Sequence, residues 1–226
     1  AKSRGWDVKK LNGTDAHTDY DYMRVHNVYE LQHMDANRVN AAVTGSDKKI
    51  IGRYMLANDI AASETQDWDG GFQPIGSSDN SMGAFTGRFD GVGHTITRLT
   101  IKAPTDSFGG YYRGMFAYIE HAIVENVSLK GASVSGEKDV GGIVGYMIQN
   151  STVQNVRNAG KVIGNEMLGG IAGSVELGSS VRNALQTGDV EQRSGQTDSQ
   201  VGGVVGLLDG STLSHAVWKE GSVTNG

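Results

Sequence analysis

Along residues 114–226 the apolar residues come in short phrases of three to six, split by Gly, Asn or Ser. Gly114-Met115-Phe116-Ala117 aligns with Gly142-Ile143-Val144-Gly145, Gly170-Ile171-Ala172-Gly173 and Gly203-Val204-Val205-Gly206, and the leading glycines lie 28, 28 and 33 residues apart. A second phrase follows each: Val124-Glu125-Asn126, Val153-Gln154-Asn155, Val181-Arg182-Asn183 and Leu213-Ser214-His215. A third apolar position falls 20 residues after each leading glycine, at Val134, Val162, Val190 and Val223. Period two dominates, β-branched residues are common, and no stretch carries a helical apolar stripe, so the repeat predicts strands.

Three short strands per repeat of about 28 residues predict an all-β parallel β-helix, a solenoid with one coil per repeat. Coils stack about 4.8 Å apart, so equivalent residues lie above one another and the four valines share one interior column. Gly-Gly pairs suit tight corners and close backbone approach. Asn126, Asn155 and Asn183 are expected to form a hydrogen-bonded ladder at one corner, with His215 breaking it in the last coil.

Residues 28–113 read as less regular coils with loops and residues 1–27 as an N-terminal segment unmatched to the pattern, all within one continuous domain. Val28, Leu31 and Met34 predict a short helix within Val28 to Val39, packed on a hydrophobic end or side of the solenoid. Tyr54 to Ala57 and Thr95 to Ile101 read as strands, and 61–83 and 102–112 as loops. Fourteen of the sixteen aromatics precede residue 120, so the two parts differ in how their interiors are filled.

Glycine makes up 33 of 226 residues, with 2 prolines and no strict triplet period, which excludes collagen. The absence of cysteine excludes disulfides, thiolate metal sites and thiol nucleophiles. A net charge of −5 gives no reason to expect nucleic acid or an anionic membrane as partner. No apolar run approaches the ~18 residues of a spanning helix, and no signal-peptide pattern is visible. A chain starting at Ala1 and stopping in a strand-like phrase reads as a piece of something longer.

The candidate chemistry is sparse. Asp90 and His94 stand four apart in Phe89-Asp90-Gly91-Val92-Gly93-His94. That is either an acid/base pair or a tight turn with Asp capping and both glycines at positive φ. Asp67-Trp68-Asp69-Gly70 resembles the start of a calcium loop, but Ser78 stands where the closing acid is needed. Asp19-Tyr20-Asp21-Tyr22 is a weaker pattern of the same kind. The histidines show no metal-ligand spacing, and the Gly-Gly-Ile-Val-Gly phrases lack the Lys-Ser/Thr of a phosphate loop, so neither metal nor cofactor is expected. Trp68 with Asp69, and Tyr111 with Tyr112, are expected on loops, where the aromatics either stack on a sugar ring or a protein partner or pack down onto the β-helix wall. Asn12, Asn126 and Asn150 begin N-glycan acceptor triplets. Five extra residues within 191–200 predict an outward bulge, either a tolerated insertion or a ligand-contacting loop with Arg193 at its tip.

Gly52-Arg53-Tyr54-Met55-Leu56-Ala57-Asn58-Asp59-Ile60, Gln73-Pro74-Ile75-Gly76 and Phe89 to Ile96, followed by the Gly-Gly-Ile-Val-Gly repeats, form an ordered series. Over residues 28–226 this series resembles the GLUG-type β-helix regions of filamentous-haemagglutinin-like, two-partner-secretion bacterial adhesins. The resemblance implies a right-handed β-helix on a secreted, cell-surface fibre, exported through an outer-membrane secretion partner. It implies a non-enzymatic, monomeric segment presenting loops to a host-cell or matrix glycan or protein. The alternative is a polysaccharide lyase or hydrolase on the same fold, which needs converging carboxylates. Glu125, Glu137, Asp139, Glu166, Glu176, Asp189 and Glu191 take different places in the repeat, which predicts no carboxylate groove.

Overall fold

The computed structural model describes residues 8–12, 19–34, 50–76, 83–102, 110–193, 199–219 and 223–224, with the backbone alone for 8–12 and 19–21. Three walls of parallel strands wind into a β-solenoid of about six turns. The first wall stacks Asp19–Val25, Arg53–Leu56, Arg88–Asp90, Ile123–Glu125, Thr152–Gly164, Ser180–Gln186 and Thr212–Trp218 in that order. The second stacks Tyr111–Arg113, Lys138–Gly141, Glu166–Gly169 and Val201–Gly202. The third stacks Phe116–Glu120, Val144–Ile148, Ala172–Glu176 and Val205–Asp209.

The register is the one the repeat predicts. Val124, Val153, Val181 and Leu213 pair rung on rung, and the column continues down through Phe89, Tyr54 and Met23. Ile101, Val134, Val162, Val190 and Val223 form a second column. Val162 and Val190 are fully buried in it. The aromatic-rich part has its own interior: Phe85 and Phe89 pack on Phe116, with ring centroids 4.9 and 5.4 Å away. Large rings there fill space that Val and Ile fill in the regular coils.

The leading glycines are explained by what lies inside. A Cβ on Gly142 would stand 2.2 Å from Asn158 Nδ2, and one on Gly170 would stand 2.2 Å from Gln186 Cδ. Asn158 and Gln186 are buried rungs of one column. Asn158 donates to the Gly170 carbonyl at 2.8 Å and accepts from the Gly160 amide at 2.8 Å. The polar side chain thus ties the first wall to the corner between the second and third, and only glycine leaves it room.

The asparagines also form a ladder. Asn155 Nδ2 donates to Asn126 Oδ1 and Asn183 Nδ2 to Asn155 Oδ1, each at 3.0 Å, and Asn126 Nδ2 donates to Asp90 Oδ1 at 3.0 Å. The ladder is exposed rather than buried at Asn155 and Asn183, and its bonds run side chain to side chain. The backbone decides this: Asn126, Asn155, Asn183 and His215 all have φ of 50 to 55°, the left-handed corner that Asn tolerates best. A serine ladder marks another corner, where Ser151 Oγ accepts from the Ala122 amide and Ser179 Oγ from the Ser151 amide, each at 3.2 Å.

The N-terminal part differs from expectation in several places. Residues 1–27 are not wholly outside the pattern, because Asp19–Val25 is the first parallel rung, with Val8–Asn12 antiparallel beside it. The helix spans Val28–Gln32, starting at Asn27, whose side chain accepts from the Glu30 amide; Val28, Leu31 and Met34 are buried. The rest of the expected helix, 35–39, lies outside the described residues. The expected strand over Thr95 to Ile101 is two, Thr95–Thr97 and Thr100–Ile101, split near Arg98 at φ 58°. The expected loop over 61–83 contains a 3-10 helix, Ser63–Asp67, held where Thr65 Oγ1 donates to the Ala62 carbonyl and accepts from the Thr100 amide.

Candidate functional site

The corner between the second and third walls carries a cluster of tyrosines with acidic side chains beside it. A Cβ on Gly145 would lie 2.5 Å from the Tyr112 backbone, and one on Gly173 would lie 2.4 Å from that of Asp139. The two walls therefore meet backbone to backbone there. Tyr112 and Asp139 each have φ 54° and stand on adjacent rungs, between the paired positions Lys138–Tyr111 and Val140–Arg113. On the third wall Tyr118, Tyr146, Ser174 and Leu207 occupy successive rungs of one column.

The result is a tyrosine cluster with carboxylates beside it. Tyr118 and Tyr146 stack at 5.4 Å with rings 20° apart, one coil above the other. Tyr112 lies against both, 5.3 Å from Tyr146 and 6.1 Å from Tyr118, and Tyr111 stands 6.5 Å from Tyr112. Tyr146 donates its hydroxyl to Glu176 at 2.9 Å, and the Ser174 hydroxyl donates to Asp139. Asp139 is only 4% exposed, and burial pushes its carboxyl up to about 6. The Ser174 bond and Lys138 pull it back, while Glu176 and Glu166 push it further up. Burial first, then Glu120, Tyr112 and Glu176, raise the Tyr118 hydroxyl to about 12. Tyr146 is raised by burial and then by its bond to Glu176. Ring faces, two carboxylates and a hydroxyl can accept hydrogen bonds and attract positive charge.

The expected site residues do not gather at one place. Tyr112 is part of this cluster, with Tyr111 half-exposed at its edge, but both lie on the strand Tyr111–Arg113 and not on a loop. Pairing with Lys138–Gly141 requires this. Trp68 is partly buried against the core at the end of the 3-10 helix, with its ring 5.4 Å from that of Tyr29, and Asp69 is exposed beside it. Arg193 is no loop tip. Its guanidinium donates to the Gly136 carbonyl at 2.6 Å, to Asn165 at 3.2 Å and to Glu137 at 3.4 Å, one charged rung in a Glu137–Asn165–Arg193 stack. The expected bulge falls on 194–198, outside the described residues.

Asp90 and His94 do not form an acid/base pair. Asp90 accepts from the Val92 amide at 2.8 Å and from Asn126, whereas His94 Nδ1 meets Asp59 at 3.1 Å. The turn puts Val92 and Gly93 at positive φ, not both glycines. Bonds from the Thr95 amide and then from His94 lower the Asp59 pKa. Asp67 and Asp69 are exposed, Ser78 lies outside the described residues, and no group of metal-ligating side chains occurs among the described residues.

Asp139 and Glu176 hold different places in the repeat, and the charge of Glu176 adds to the raised pKa of Asp139, well after burial. Sequence reasoning missed Tyr118, Tyr146, Asp139, Ser174 and Glu176. A signal existed: Tyr118 and Tyr146 each fall four residues after a leading glycine, 28 residues apart.

No family model matches the chain. Halomucin of Haloquadratum walsbyi is 41% identical over 129 residues, which is 55% of this chain. The chain spans only 1% of halomucin's length. Among solved structures, a candidate immunoglobulin A1 protease from Bacteroides ovatus superposes with a TM-score of 0.59, covering 92% of this chain and 78% of that one. At 19% identity, that likeness shows the fold: a parallel β-solenoid.

Proposed function

We propose that the chain is a non-enzymatic segment of a secreted or surface-exposed adhesin, of the filamentous-haemagglutinin-like kind. In this reading it extends a fibre and contacts its ligand through the outer groove at Tyr112, Tyr118 and Tyr146. The likeness to halomucin suggests a surface-exposed protein and supports this reading. The observation that carries it is the tyrosine cluster, because stacked, partly exposed rings on a rigid wall suit contact with a ligand. A glycan and matrix-protein array probed with wild type and Tyr146→Ala tests it. Loss of the bound spots in the variant is expected. Unchanged binding by the variant overturns the groove as the contact site.

A second reading, a polysaccharide lyase or hydrolase, draws on Asp139, whose carboxyl pKa is raised by burial to about 6, with the charge of Glu176 adding to the rise. Incubation with a polyuronide panel decides it. Reducing-end or unsaturated product that disappears in Asp139→Asn favours the enzyme, and no product favours the adhesin.

A further inference from the structure

We infer that the tyrosine groove takes the alkylammonium side chains of a lysine-rich segment of a partner protein. This deepens the proposed use of the groove as a contact surface and rests on it. The ring faces of Tyr112, Tyr118 and Tyr146 carry negative quadrupole potential and lie within 5.3 to 6.1 Å of one another. One partly exposed carboxylate, Glu176, stands at the same place; it accepts from Tyr146 and makes no ion pair among the described residues, and the buried Asp139, held by Ser174, lies close enough for the two charges to interact. A neutral sugar would use the rings and leave the Glu176 charge uncompensated, whereas an ammonium uses both the rings and the charge.

Leu207, two rungs beyond Tyr146 in the same column, is partly exposed and offers apolar surface to a lysine stem. The raised hydroxyl pKa of Tyr118 agrees, since Glu120 and Glu176 add to the effect of its burial. A polyanion would meet the same field with the wrong sign.

Calorimetric titration of the protein with an oligolysine peptide tests this, with oligoglutamate and a neutral oligosaccharide as controls. Only oligolysine should bind. Tyr146→Ala should weaken it roughly tenfold, the loss of one ring from a cation site. Tyr146→Phe, which keeps the ring, should retain binding and guards against a folding defect in the alanine variant. Glu176→Gln should weaken binding several-fold and flatten its salt dependence. Oligolysine that fails to bind, or that binds both Tyr146→Ala and Glu176→Gln as it binds wild type, overturns the inference. A neutral oligosaccharide that binds wild type but not Tyr146→Ala overturns the cation and keeps the groove. An array profile unchanged in Tyr146→Ala overturns the groove itself, and the inference with it.

Discussion

Replacing Asn155 separates two reasons why asparagine occupies the ladder corner. Asn155→Ala removes the bond donated to Asn126 and the one accepted from Asn183, each 3.0 Å long. At an exposed position each contributes about 0.5 kcal/mol, the low end for such bonds. Alanine must also hold φ at 54°, which costs an L-residue with a Cβ and no side-chain hydrogen bond about 1 kcal/mol more. The alanine variant should therefore lose about 2 kcal/mol. Asn155→Gly loses the same two bonds but adopts the left-handed conformation freely, and its cost from greater unfolded-chain freedom stays under about 1 kcal/mol. It should be destabilised less than the alanine variant. Guanidinium denaturation followed by far-UV circular dichroism measures both. A glycine variant as unstable as the alanine one, or more so, refutes the conformational part. Two variants indistinguishable from wild type refute the ladder.

Val162→Ala should cost roughly 2–3 kcal/mol in the same assay, because the cavity opens between Val134 and Val190 in a fully buried column; a loss below the Ile-to-Val range would mean that the stack collapses into the gap. Gly142→Ala should cost about 1–3 kcal/mol, since its Cβ meets Asn158 at 2.2 Å and the Gly170 carbonyl at 2.6 Å; an unchanged melting point would show that the corner yields freely. Asp139 has a folded pKa of about 6, above its ordinary 3.8, so the folded state holds its proton more tightly than the unfolded. Its stabilising contribution is complete below pH 4 and is lost as pH rises through about 6, to the extent of up to about 3 kcal/mol. Asp139→Asn, which keeps an acceptor for Ser174, should remove that fall, and parallel pH–stability curves for the two proteins would contradict it.

The regular coils were legible because a solenoid turns sequence period into spatial register. A residue 28 positions on lies one rung up, so Val134 and Val162, or Asn155 and Asn183, are neighbours by arithmetic. Apolar alternation identified the inward positions, and the glycine phrases marked the corners. The short helix was legible from the spacing of Val28, Leu31 and Met34. The ladder's exposure was not legible. Which side of a corner faces water depends on backbone dihedrals, and the left-handed φ at Asn155 came to light only in the folded chain. Arg193 looked like the tip of a bulge, but its partners come from Asn165 and Gly136, one and two coils away.

The sequence by itself determined the fold, the coil length and the stacked columns, because each of these follows from period and polarity along one chain. Only the tertiary structure decided the site. Asp139 and Glu176 are 37 residues apart and out of phase with the repeat, so no spacing rule relates them. Glu176 acts on Asp139 where the second and third walls close to backbone contact at Gly145 and Gly173, and a corner angle is set by packing between coils rather than by any local pattern.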